Sequence, residues 1–228
     1  MLPSMPGRPA SASTLVLLVR HAVTPTTGKV LPGRARGLHL SEEGRRQAEA
    51  AARRLAALPR IAAVYSSPLE RARETAAAIG RARGLAIRIE RGLLELDIGA
   101  WTGAAIKRVA RRPEWAVVQR HPAGFRFPGG ESFVELQSRV DAAVRRLVAR
   151  HRGRTIVVVS HADPIRVLLA HVLGVPLDLF QRITIAPASI SAVAFRPDGV
   201  TVLTVNSVDD SSWGGPKWPA TPPRRRRS

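Results

Sequence analysis

Two runs of apolar residues, Leu15-Val16-Leu17-Leu18-Val19 and Ile156-Val157-Val158-Val159, carry no alternating polar position. A strand with one wet face alternates polar and apolar residues, so runs of this kind mark strands buried on both faces. Around them the pattern changes to a helical period. Ser41-Glu42-Glu43 opens a helix predicted to reach about residue 58, with Ser41 as N-cap, acids in the first turn, and Ala48, Ala51, Leu55 and Leu58 as its buried stripe. Residues 61–65 read as a second strand. Ser67-Pro68-Leu69-Glu70 predicts a helix start, with Ser67 as N-cap and Pro68 at the first helical position, and the helix should end near Gly84. A short strand is expected over 86–89. The region from 91 to 130 is less regular, with short helices near 104–111 and 114–120. Ser132-Phe133-Val134-Glu135 is a capping box for a helix to about His151, and Asp163-Pro164 should cap and start another through Leu173, stopped at Gly174. Strands over 189–196 and 200–206 flank the hairpin Pro197-Asp198-Gly199. This alternation implies an α/β fold: a three-layer α/β/α sandwich with a mostly parallel central sheet and helices on both faces.

At 228 residues the chain fits one catalytic-sized domain, 14–208, between a flexible lead-in (1–13) and a basic Pro/Arg-rich tail (209–228) expected to be disordered. No apolar run approaches the roughly 18 residues needed to span a bilayer, and the N-terminus does not read as a signal peptide. The absence of cysteine excludes disulfides and thiolate metal sites and is compatible with a cytoplasmic location. The net charge of +19 comes from 36 basic and 17 acidic residues, and only Lys29, Lys107 and Lys217 are lysines. Arginines scattered among alanines on helices, 4% aromatic residues and no binding motif argue against a nucleic-acid partner. A basic surface does attract phosphorylated substrates.

Three strand ends carry side chains suited to chemistry. The first apolar run ends in Arg20-His21, the second strand in Ser66-Ser67-Pro68 with Arg71 close behind, and the run at 156–159 in Ser160-His161. If these strands are adjacent and parallel, their carboxyl ends converge on one crevice holding two histidines and two arginines. Such a crevice suits a dianionic phosphoryl group: each arginine offers a rigid fork to its oxygens, and a neutral histidine is a nucleophile toward phosphorus.

The segments Leu17-Leu18-Val19-Arg20-His21, Leu40-Ser41-Glu42-Glu43-Gly44, Tyr65-Ser66-Ser67-Pro68-Leu69-Glu70-Arg71-Ala72, Leu94-Glu95-Leu96-Asp97-Ile98-Gly99-Ala100-Trp101, Pro128-Gly129-Gly130-Glu131-Ser132 and Val159-Ser160-His161 occur in this order. Together they resemble the histidine phosphatase superfamily, the phosphoglycerate mutase-like family, and its actinobacterial phosphomutase-like subgroup. The resemblance implies that His21 is a nucleophile that becomes phosphohistidine. It makes Arg20, Arg71 and His161 the rest of the phosphate pocket, with Thr24 as a further donor, and Glu95 the acid for the leaving group and then the base for water. It implies no metal and no cofactor, a small phosphorylated substrate and no membrane, and it is compatible with a homodimer. Asp97, two residues from Glu95, is the competing acid. Arg36 and His39 are weaker candidates for substrate contact from the first loop. Trp101 and Phe125 read as packing, Pro128-Gly129-Gly130 as a turn, and His171 as packed on an apolar helix face.

Several positions depart from the family pattern. Ala22 and Val23 replace the usual glycine and acid after the nucleophile, and Ala162 and Asp163 follow the second histidine. The histidines are only 140 positions apart, and Ile98 and Asp163 stand where mutases have tyrosine and asparagine. Hydrolysis of a phosphomonoester is therefore favoured over phosphoglycerate mutase-type activity. A non-catalytic protein binding a phospho-ligand or nucleic acid is the further alternative, and it would predict loss of a core residue; none is lost.

Overall fold

Side chains of a strand alternate between the two faces of its sheet, so a continuous apolar run needs cover on both. The computed structural model describes residues 13–208 and supplies that cover. The tail at 209–228 and all of the lead-in except Ser13 lie outside the described residues. Six strands, β1 (Thr14–Arg20), β2 (Ala63–Ser66), β3 (Ile87–Ile89), β4 (Thr155–Ser160), β5 (Ile190–Arg196) and β6 (Gly199–Ser207), form one sheet in the order β3-β2-β4-β1-β5-β6. The first four are mutually parallel; β5 runs antiparallel to β1, and β6 pairs antiparallel with β5 as the expected hairpin.

The helices are α1 (Glu42–Ala56), α2 (Glu70–Arg83), α3 (Ile106–Val109), α4 (Pro113–Arg120), α5 (Phe133–Arg150) and α6 (Ala162–Leu173). Leu15, Leu17 and Val19 of β1 share a buried cluster with Ala51 and Leu55 of α1 and with Ala76 and Ile79 of α2. Val16 and Leu18 belong to the opposite cluster, with Leu136 and Val140 of α5 and Leu168 of α6. Each fully buried leucine or valine contributes about 1.5–3 kcal/mol relative to exposure, which fixes both the position of β1 and its register. The three-layer α/β/α sandwich expected from the sequence is the observed architecture. No helix among the described residues is long and apolar enough to cross a membrane.

Two helix starts differ from expectation. Helix α2 begins at Glu70, with Leu69 at the cap position and no side-chain cap. The Ser67 hydroxyl, expected to cap it, lies 2.8 Å from His161 Nε2 instead. Helix α6 begins at Ala162, one residue before Asp163, which sits inside the first turn and accepts a 3.1 Å hydrogen bond from Arg166. Two smaller differences concern a histidine and a short turn. His171 is exposed and 3.8 Å from Asp141, where the apolar helix pattern suggested packing. A 3₁₀ turn over Leu177–Arg182 has no clear periodic signal and follows the αL stop at Gly174.

Helix α5 starts as predicted. The Ser132 hydroxyl accepts from Glu135 N–H, and the Glu135 carboxylate accepts from Ser132 N–H, a complete capping box. Ser132→Ala should therefore lower unfolding free energy by about 1 kcal/mol in urea titration with little change in the cooperativity of the transition.

Candidate active site

Strands β1 and β4 pair in parallel with Arg20 opposite Ser160. The residues that follow, His21 and His161, consequently leave the sheet side by side. The His21 N–H donates to the Ser160 carbonyl at 2.9 Å, and the two imidazole rings lie 5.1 Å apart at 64°. Strand β2, on the other side of β4, brings Ser67 to the same level, where its N–H donates to the Val159 carbonyl at 3.0 Å. The His21 Nδ1 lies 2.8 Å from the Ala22 carbonyl, which can only accept, so Nδ1 holds the proton and Nε2 presents its lone pair. Ala22 is buried, and its N–H donates to Thr75 Oγ1. Among the described residues only Ala188 and Asn206 combine a side chain with positive φ, so alanine at position 22 needs no left-handed backbone.

The cations converge as expected. Arg71, in the first turn of α2, is fully buried; its Nη2 donates to the Gly33 carbonyl at 2.8 Å and its Nη1 to that of Ala35 at 3.4 Å. Arg20 Nη1 donates to the Ile185 carbonyl at 2.6 Å. Arg20 Nε, Arg71 Nε and His161 Nδ1 are buried and meet no hydrogen-bond partner among the described residues. Ser67 Oγ accepts from the Leu69 N–H at 3.4 Å, and among the described residues His161 Nε2, at 2.8 Å, is the acceptor its own proton can reach; donation there puts the His161 proton on Nδ1. Burial, reinforced by Arg71 and Arg20, pushes the His21 pKa down to about 3. Burial and the same arginines, together with His21, hold the His161 pKa well below the usual histidine value. Both rings are therefore neutral near pH 7.

Glu95 follows a 3₁₀ turn, Arg91–Leu93, tied to β4 by the Ser160 hydroxyl on the Leu93 carbonyl at 2.8 Å. Its Oε1 accepts from the Leu96 N–H at 2.9 Å. Burial raises its pKa to about 7, aided by the charge of Asp163 and opposed by the Leu96 N–H, Arg71 and Arg20. Asp97 is engaged elsewhere: Oδ1 accepts from the Gly99 N–H and Oδ2 from Arg34 Nη1. The Pro128-Gly129-Gly130 turn packs backbone to backbone on this loop. A Cβ on Gly99 would come 2.1 Å from the Pro128 carbonyl oxygen, and one on Gly130 would come 2.3 Å from that of Asp97. Trp101 is buried against Phe125 and Phe127, as packing residues.

Thr24 is buried, with Oγ1 3.0 Å from Thr27 Oγ1 and 3.4 Å from Thr26 Oγ1. Arg36 is exposed on the first loop, and His39 pairs with Glu74 on α2. The arginine of that loop that reaches the site is Arg34, whose Nε donates to the Glu95 carbonyl at 2.9 Å. Sequence reading missed Arg34, and with it Glu131 and Arg139. The available signals were that Glu131 stands inside the segment Pro128-Gly129-Gly130-Glu131-Ser132 and that Arg34 lies in the same first loop as Arg36 and His39.

The neutral His21 has a stability consequence. Below pH 6.5 the unfolded chain takes up a proton at this histidine, while the folded site does not until about pH 3. Stability should fall with pH through this window by up to about 1.4 kcal/mol per unit from His21 alone. Urea titrations of His21→Ala between pH 6 and 4 should show a slope shallower than that of the parent by this amount. An equal slope would mean that His21 protonates in the folded state.

The site sits within a chain whose residues 16–208 match the family model for histidine phosphatase superfamily (branch 1). A bifunctional protein of Mycobacterium tuberculosis is 36% identical over 208 residues; the match covers 87% of this chain but 56% of that protein, so the chain spans little more than half its length. Phosphoserine phosphatase 1 of Hydrogenobacter thermophilus is 33% identical, with 84% of this chain and 91% of that one covered. The solved structure of a mycobacterial glucosyl-3-phosphoglycerate phosphatase superposes with a TM-score of 0.77 at 27% identity, covering 86% of this chain and 99% of that one. The strand-end histidines, the buried arginines and these matches agree: the chain belongs to the histidine phosphatase superfamily, branch 1.

Proposed function

We propose that the chain hydrolyses a phosphomonoester of a small metabolite through a phosphohistidine on His21. The observation that carries this reading is the set of three buried N–H donors without partners (Arg20 Nε, Arg71 Nε and His161 Nδ1) clustered with a neutral histidine. An unpaired buried donor costs roughly 1–3 kcal/mol, and a phosphoryl group offers the three equatorial oxygens that would satisfy them. His21 Nε2 forms a bond to phosphorus as the ester P–O bond breaks. Arg20, Arg71 and the His161 Nδ1–H stabilise charge on the phosphoryl oxygens. Glu95, protonated up to about pH 7, gives its proton to the leaving alkoxide. The resulting carboxylate then takes a proton from the water that attacks the phosphohistidine; the P–N bond breaks, releasing phosphate and restoring both residues.

Hydrolysis is favoured over isomerisation by the short spacing of the histidines and by Ile98, buried where mutases carry tyrosine. The names of the relatives, which include phosphoserine and glucosyl-3-phosphoglycerate phosphatases, support a small phosphorylated substrate. The basic composition adds long-range attraction for it.

His21→Ala should abolish turnover of p-nitrophenyl phosphate and leave no acid-labile phosphoenzyme in quench-flow. Retained turnover would overturn the mechanism, and rapid conversion of 3-phosphoglycerate to 2-phosphoglycerate would replace hydrolysis by mutase activity. The acid role sets the pH dependence. Because Glu95 must be protonated, kcat/KM for alkyl phosphates should fall toward tenfold per unit above about pH 7. Glu95→Gln should lower kcat for those esters by roughly 10²–10⁴-fold and remove this basic limb.

A further inference from the structure

Glu95 is held by its main chain as well as by its surroundings. Arg34 Nε donates to the Glu95 carbonyl at 2.9 Å, and Arg139 Nη2 approaches the same oxygen at 3.4 Å. Arg139 Nη1 also donates to the carbonyls of Gly92 and Leu94, at 2.9 and 3.0 Å. Glu131 lies between the two guanidinium groups: its Oε1 is 2.8 Å from Arg34 Nη2, and its carboxylate takes a fork of two 2.9 Å hydrogen bonds from Arg139. Glu131 Oε2 further accepts from the Asp97 N–H at 3.2 Å. Its lowered pKa, against the cost of burial, reflects the two arginines and that N–H.

Two separate parts of the chain, the first loop and α5, thus close on the Glu95 carbonyl, and Glu131, from the turn before α5, links their guanidinium groups and holds the Asp97 N–H. The first loop is in turn tied to the phosphate-binding cations, because Arg71 donates to the carbonyls of Gly33 and Ala35 on either side of Arg34.

We infer that Arg34 and Arg139, bridged by Glu131, are positioning residues that clamp the Glu95 peptide and so aim its carboxyl at the leaving-group oxygen. The inference rests on the phosphatase reading above. None of the three touches the reacting phosphoryl group; they act through Glu95. Planar guanidinium forks suit the task, since each holds a carbonyl and a carboxylate at once in fixed geometry. Lysine at position 34 could keep the charge but not the fork.

A displaced acid harms the reaction in proportion to how much protonation the leaving group needs. The test compares p-nitrophenyl phosphate with phenyl phosphate, which are close in shape but differ in leaving-group basicity. Single-turnover phosphorylation of the full chain is measured for the parent, Arg34→Met, Arg34→Lys and the near-isosteric Glu131→Gln. In Arg34→Met and Glu131→Gln the rate for phenyl phosphate should fall by roughly 10- to 100-fold more than that for p-nitrophenyl phosphate. Arg34→Lys should follow Arg34→Met. Equal losses on both esters, or no loss on either, in a folded Glu131→Gln chain would overturn the clamp and leave the phosphatase reading standing. A parent chain that turns over neither ester would overturn the phosphatase reading and the clamp with it.

Discussion

Parallel pairing of β1 with β4, in register from Leu15–Thr155 to Arg20–Ser160, is the constraint on which the site depends. A shift of one residue would exchange the two faces of β1, exposing Leu17 and Val19 to the wrong helix layer. It would also separate His21 from His161. The register that fills both hydrophobic clusters is thus the one that sets two imidazoles 5.1 Å apart at the carboxyl ends of adjacent strands. Fold energy and site geometry are specified by the same apolar side chains.

This arrangement carries an electrostatic cost. Arg71 and His161 are fully buried, Arg20 is largely so, and the carboxylate closest to them in effect is Glu95. Burial lowers the pKa of both arginines, with Glu95 acting in the opposite direction. Backbone carbonyls at Gly33, Ala35 and Ile185 take up part of the guanidinium hydrogen bonding. The remaining unpaired donors are the ones that point to an anionic ligand. Stability is spent at the place where binding recovers it, a common pattern for preorganised polar sites.

Much of this was legible in the sequence, for identifiable reasons. β1 and β4 declared themselves because burial on both faces leaves uninterrupted apolar runs. Ser41 and Ser132 declared their helices because N-cap chemistry is local and needs only residues three apart. Arg20, His21, Arg71 and His161 are legible at or just past strand ends, Glu95 only through the resemblance of the segment 94–101 to the family, and the fold brings them together. Ser67 was misread as a cap because its true partner, His161, lies 94 residues away. Arg34 was hidden for the same reason: its hydrogen bond to Glu95 spans 61 residues. It was also hidden by composition, since in a chain where nearly all of the 36 basic residues are arginine, one more carries little signal. Its neighbour Arg36 was the residue named, and it remains exposed.

Asp163 shows how a departure from the family pattern acts without touching the phosphoryl pocket directly. It pairs with Arg166, whose Nε donates to the Ile183 carbonyl at 3.0 Å, while Arg20 holds the carbonyl of Ile185 two residues on. The first turn of α6 and the segment after the 3₁₀ turn are thereby stitched to Arg20. From that position the negative charge of Asp163 raises the Glu95 pKa against the pull of Arg71 and Arg20. A carboxyl beside two arginines would otherwise stay ionised near neutral pH and be unable to protonate a leaving group. Burial begins the correction, and Asp163 adds to it. The balance settles at about 7, the range in which the proposed mechanism needs one carboxyl to serve first as acid and then as base.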